Sequence, residues 1–132
     1  MATTTEPDAK EYLSSLAFQS TIDRLVAAIE KAGMSVFARI DHAAGAKEVG
    51  MTMPPTVVLL YGNPKGGTPI MLASPVAALD LPLRVLVRED SQGHALVSFH
   101  PIAAVLRRAG VPDDLATRLE PAQRVLIDAI KA

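Results

Sequence analysis

Cysteine is absent from the chain, which excludes disulfides, thiolate metal sites and cysteine nucleophiles. Tryptophan is absent as well, and two Tyr and three Phe supply all the aromatic rings. Proteins that bind single-stranded nucleic acid stack bases on such rings and bring clustered Lys and Arg, so that class is disfavoured. The formal net charge is −1, and no broad field draws in nucleic acid or an anionic membrane. No run of about 18 apolar residues occurs, so no segment reads as a membrane-spanning helix. The start, MATTTEPDAK, lacks a basic stretch followed by an apolar core and does not read as a secretory signal. These absences lead to the expectation of a cytoplasmic protein without nucleic-acid, membrane or cofactor partners.

What is present is an ordinary globular mix. The 132 residues are 49% hydrophobic and 20% charged, enough for one domain with its own core. Residues 1–11 are small and polar and read as a flexible N-terminal segment, leaving 12–132 as a single domain. YLSSLAFQ, residues 12–19, reads as a first strand. Ser20, with Asp23 after it, reads as the cap of a helix carrying Ile22, Leu25, Val26 and Ile29. Gly33 ends that helix. Over 34–40, Met34, Val36, Ala38 and Ile40 alternate with Phe37 and Arg39, the pattern of a half-buried strand. A short helix over 43–49 follows. TVVLLY, 56–61, is continuously apolar and reads as a central strand.

Strand 69–73, a helical turn over 75–80 opened by Ser74 and Pro75, and strand 83–89 come next. The segment EDSQGH forms a hairpin turn into strand 94–100. A helix runs from Pro101 to Arg108, and a last one over 113–131 is kinked or split by Pro121. This order defines an α+β domain of two layers, with helices packed on one face of a mainly antiparallel sheet.

The segment LLYGNPKGGTPIML, 59–72, holds the densest knot of chemistry-bearing residues. A P-loop needs glycines, then Lys and Ser or Thr, then a helix. Here Lys65 precedes Gly66 and Gly67, and Pro69 follows Thr68. The segment therefore reads as a turn between strands, with Asn63 and Pro64 starting it and the two glycines adopting positive φ. Beside that turn, open glycine N–H groups and Lys65 could hold a small anion.

Asp41 and His42 fall where a strand gives way to a helix. Asp41 can serve as the helix cap. Alternatively, Asp41 and His42 form an acid–base pair, although neighbours on a strand point to opposite faces. His94 and His100 lie on one strand about 20 Å apart, too far to share a metal, and no metal site is expected. Glu89 and Asp90 read as a solvated hairpin end, and Arg107 and Arg108 as a basic helix terminus.

Three stretches, VFARIDHAAGAKEVGM (36–51), PPTVVLLYGNPKGGTPIMLASPVAALDLPLRVLVRED (54–90) and GHALVSFHP (93–101), together resemble the bacterial family called domain of unknown function 302. The resemblance covers roughly 12–131. It implies a β-α-β4-α fold like that of the TATA-box-binding-protein class and implies no known activity. DNA binding does not transfer with a fold. Asp41, His42, Gly62, Asn63, Pro64 and Lys65 match the family's pattern residues, while Tyr61 stands where Phe is as common.

Three readings follow. The leading one is a non-enzymatic module that binds a small molecule or anion through Asp41, His42, Asn63, Lys65, Gly66 and Thr68, and forms a homodimer through its sheet. The second is an enzyme with His42 as general acid or base and Lys65 holding an anionic substrate. The third is a structural or interaction domain with no ligand. The observation that discriminates among them is whether Asp41 and His42 line one concavity with Asn63 and Lys65.

Overall fold

A computed structural model of the chain describes residues 8–131. Its elements in order are β1 (Lys10–Leu13), α1 (Phe18–Lys31), β2 (Ser35–Asp41), α2 (His42–Glu48), β3 (Thr56–Gly62), α3 (Pro64–Ala73), a 3-10 helix (Pro75–Asp80), β4 (Leu83–Glu89), β5 (Ala95–Phe99), α4 (Ile102–Arg108), α5 (Asp113–Ala116) and α6 (Glu120–Ala129). The strands form one five-stranded sheet in the order β1-β5-β4-β3-β2, and every neighbouring pair is antiparallel.

Alternation along the strands gives the sheet two different faces. Val57, Leu59 and Tyr61 of β3, Leu83, Val85 and Val87 of β4, and Val97 and Phe99 of β5 point into one core. Ile22, Leu25 and Ile29 of α1 close over them, with Ile70 of α3, Ile102 and Leu106 of α4, Ala116 of α5 and Leu126 of α6. Each fully buried aliphatic side chain contributes about 1.5–3 kcal/mol. This is the expected α+β arrangement, with the helices on one face.

Local signals decide several boundaries. The strand over 83–89 and the helical turn over 75–80 fall where alternation and the Ser-Pro start put them. The C-terminal helical segment splits at Pro121, as its missing N–H requires: α5 ends at Ala116 and α6 carries Pro121 in its first turn. The first elements depart from expectation. β1 is shorter and earlier than 12–19, so Lys10 and Glu11 are strand residues paired with Phe99 and Ser98. Residues 1–7 of the expected flexible segment lie outside the described residues. α1 begins at Phe18, two residues before Ser20, and no side chain caps it. The polar group that fixes this start is Thr21, whose hydroxyl donates to the Ala17 carbonyl at 2.9 Å and lies 2.7 Å from Ser14 Oγ. Asp23 instead accepts from Gln19 Nε2 at 3.0 Å.

The β1–β5 edge is fastened by a small polar network. Glu11 accepts from Ser98 Oγ at 2.9 Å and from Arg88 Nη2 at 3.0 and 3.1 Å. The Ser98 hydrogen bond first, and then that of Arg88, holds the Glu11 carboxyl below its usual range. A carboxyl lowered by folding stabilises above its unfolded pKa, and that contribution disappears as pH falls through the folded value. Because the pair is exposed, the effect is under about 1 kcal/mol. Urea unfolding should therefore show Glu11→Gln less stable than the parent at neutral pH, with the difference closing as pH falls below the usual carboxylate range.

Candidate functional site

The Gly-rich segment is the principal departure from the sequence reading. Residues 64–73 form the helix α3, not a turn followed by a strand. Asn63, in extended conformation, is its cap, and Pro64 occupies the first turn. Both are favourable there, since the proline lacks an N–H that would otherwise need a partner. Gly66 and Gly67 are absent from the glycines with positive φ. They are helical residues, and Pro69 sits inside the same helix. Packing overrides the poor helix propensity of this stretch. Ile70 is fully buried in the core, and a β-carbon on Gly66 would lie 3.1 Å from Leu119 Cδ2. Gly66 thus lets the start of α3 approach the segment leading into α6.

Helix formation also uses the amides that an anion would need. Lys65 N–H donates to Asn63 Oδ1 at 2.9 Å. Gly66 and Gly67 donate to the Asn63 carbonyl at 2.9 and 3.2 Å. Asn63 Nδ2 donates to the Gly33 carbonyl at 3.0 Å, tying α3 to the end of α1. The open glycine N–H groups expected of a turn are therefore engaged, and only side chains remain to meet a ligand.

Those side chains border a cleft of about 780 Å³. Asn63, Lys65, Gly66 and Thr68 line it from α3, and its apolar wall includes Met34, Phe37, Met71, Leu81, Pro82 and Leu119. Arg118 supplies a second cation. Neither Lys65 nor Arg118 takes part in an ion pair among the described residues. Tyr61 lies at this cleft, wholly buried, with its hydroxyl donating to the Ala122 carbonyl at 3.1 Å. Burial pushes the Tyr61 phenol up, which keeps it neutral and fit for that role. The hydroxyl that separates Tyr61 from Phe pins β3 to α6.

Asp41 and His42 are elsewhere. Asp41 pairs with Val57, whereas Gly62 pairs with Ser35 at the other end of the same ladder. Five strand positions put the two motifs about 17 Å apart along β3. Because β2 and β3 are antiparallel, the end of β2 meets the start of β3, and His42 and Lys65 do not line one concavity. Asp41 Oδ1 accepts from Ala44 N–H at 2.9 Å, the cap geometry expected of it. His42 is the exposed first residue of α2. Asp41 borders a separate hollow of about 440 Å³ with Met51 and Met53.

His94 lies in the hairpin, its Nδ1 3.4 Å from Asp90 Oδ2. Asp90 is the organising residue of that turn. It accepts backbone N–H bonds from His94 and Gln92 at 2.8 and 2.9 Å, and the first of these chiefly holds its carboxyl below the usual range. Arg107 pairs with Asp113 at 2.6 Å.

Of the residues named from sequence, Asn63, Lys65, Gly66 and Thr68 share the cleft, while Asp41 and His42 do not. Sequence reasoning missed Arg118, Phe37 and Met71. The signal for the helix was present, since Asn followed by Pro is a cap and first position. The contribution of Arg118 and Leu119 had no local signal.

An α+β domain with a largely apolar cleft at the start of a capped helix is the class this geometry defines. The chain belongs to the family described as Domain of unknown function DUF302, whose model matches residues 10–132. The crystal structure of an uncharacterized conserved protein DUF302 from Bacillus stearothermophilus superposes with a TM-score of 0.84 at 17% identity, covering 93% of this chain and 98% of that chain. This likeness concerns the fold. Fluoride-specific ion channel FluC 1 of Brucella suis biovar 1 (strain 1330) is 40% identical over 100 residues, which is 74% of this chain and 39% of that protein. FluC 1 of Brucella abortus biovar 1 (strain 9-941) is 40% identical over 100 residues, 74% of this chain and 37% of that protein. The chain thus spans less than two fifths of the length of these curated relatives. Among the described residues no helix is long and apolar enough to cross a membrane.

The helical assignment of the glycines has a direct check. Gly67 is helical, and a β-carbon there meets only ordinary contacts, at 3.7 Å from Leu81 and Met71. Gly67→Ala should stabilise the protein by about 0.5–1 kcal/mol. In a positive-φ turn the same change would destabilise it. Thermal and urea unfolding read the sign.

Proposed function

We propose that the chain is a binding module for a small molecule with an apolar body and an anionic group. The cleft beside α3 carries this reading: about 780 Å³ is within the size range of small-molecule sites. Its lining is chiefly apolar, with Lys65 and Arg118 as cations free to meet a carboxylate, sulfonate or phosphate. Met34 and Met71 give the wall adaptable thioether side chains. Among the described residues, no histidine or carboxylate lines the cleft, which favours binding over turnover.

Anilinonaphthalene sulfonate, an apolar anion that fluoresces on burial, should bind the purified protein. In the double variant Lys65→Glu, Arg118→Glu the affinity should fall about tenfold, roughly 1.4 kcal/mol. Equal affinity in parent and variant, with both folded by circular dichroism, would exclude this cleft as the site.

A second reading comes from the Brucella relatives, which bear the name of a fluoride channel. A channel needs membrane-spanning elements, and no helix among the described residues of this chain is long and apolar enough to be one. The segment that this chain matches would then be an accessory part of those proteins, and the chain itself an accessory domain for a channel of that kind. Joining two modules in one chain raises their effective concentration, which lets a weak contact operate. Detergent-solubilised Brucella suis FluC 1 lacking the matched segment should retain this chain in a pull-down. Absence of retention under conditions where the full-length protein stays intact would remove this reading.

A further inference from the structure

The sheet face opposite the helices has a composition that an exposed face does not need. By register, one row across all five strands consists of Glu11, Ser98, Leu86, Val58 and Ile40. Leu13, Leu96, Arg88 and Thr56 form the row on one side, and Arg84, Leu60 and Ala38 the row on the other. An antiparallel sheet with one solvated face normally alternates apolar inward and polar outward. Here Val58 and Leu60 of β3, Leu86 of β4 and Leu96 of β5 are apolar on the outer side as well, bordered by Thr56, Arg84 and Arg88. Leu13 is 62% and Ile40 42% exposed, and Val58, Leu60, Leu86 and Leu96 are half-buried. Arg88 and Glu11 neutralise each other within the face. A contiguous apolar patch of this kind marks an interaction surface.

We propose that a second copy of this chain covers this face, sheet against sheet, in a two-fold dimer. Two considerations favour this occupant, charge and area. The chain's net charge of −1 leaves little repulsion between copies. Sheets packed face to face, as in sandwich proteins, lie about 10 Å apart. Five strands at about 4.8 Å by about 17–20 Å of length give a projected area of about 400–500 Å². Side-chain relief raises the accessible area toward the roughly 800 Å² per partner of a standard interface. Extension of the sheet through its edge is the poorer alternative. β2, the edge beside the apolar rows, carries a register shift between Val36 and Ala38, and such bulges protect edges from pairing. The two-fold operator makes the contact isologous, so the same patch serves both subunits and the assembly closes at two.

Native mass spectrometry and light scattering of the purified protein should report twice the 14.0 kDa protomer mass. Leu86→Arg places a charge near the centre of the face without touching the cleft, and should weaken the dimer at least a hundredfold. Ile40→Lys, at an exposed position on an edge strand, should weaken it about tenfold, and carries the test if Leu86→Arg does not fold. A parent protein that is monomeric at about 100 μM overturns the proposal. So does a dimer that persists undiminished in a folded variant, which would place the contact elsewhere. A monomer that partitions through this face onto anionic vesicles would name a membrane surface as the occupant instead.

Discussion

Val57, Leu59 and Tyr61 must all be kept from water on one side of a single strand, and that demand organises the molecule. Their partners Val87, Val85 and Leu83 lie beside them on β4, and the helical layer closes over both. Each such side chain returns about 1.5–3 kcal/mol when removed from solvent. No individual helix has enough local stability to stand alone. Their positions follow from which side chain each contributes to the shared core: Ile22, Leu25 and Ile29 from α1, Ile70 from α3, Leu106 from α4 and Leu126 from α6.

The same demand makes a helix out of α3. Its residues include two glycines and an internal proline, a poor set for any helix. What outweighs them is a cap on Asn63 that satisfies the first amides and the insertion of Ile70 into the core. Gly66 then has a packing role, since the space a side chain would need is taken by Leu119. The apolar cleft follows from that close approach: the α3 start and the Arg118–Leu119 segment converge over the end of β3, and Lys65 is carried to the rim.

Antiparallel pairing decides which motifs share a cleft. Asp41-His42 and Asn63-Lys65 each follow a strand, and on the page each is followed by helix-forming or turn-forming residues. Had the two strands run parallel, both motifs would have met at one edge. Because Asp41 faces Val57 and Ser35 faces Gly62, they stand at opposite ends, and the histidine serves no cleft that Lys65 lines. Beside Lys65 stand Asn63, Thr68, Arg118 and an apolar wall.

The sequence by itself determined the elements whose signals are local. Alternation marked 83–89, Ser-Pro marked the turn over 75–80, Asp41 marked the start of α2, and Pro121 marked the break before α6. It also determined the α+β class, because those periods leave one sheet and a layer of helices to cover it. Tertiary structure decided the state of 64–73, the start of α1 and the membership of the cleft. The reason is range. Propensity and capping act within about one helical turn, whereas the burial of Ile70, the contact of Gly66 with Leu119 and the separation of His42 from Lys65 arise between residues distant in the chain, which meet only once the sheet has formed.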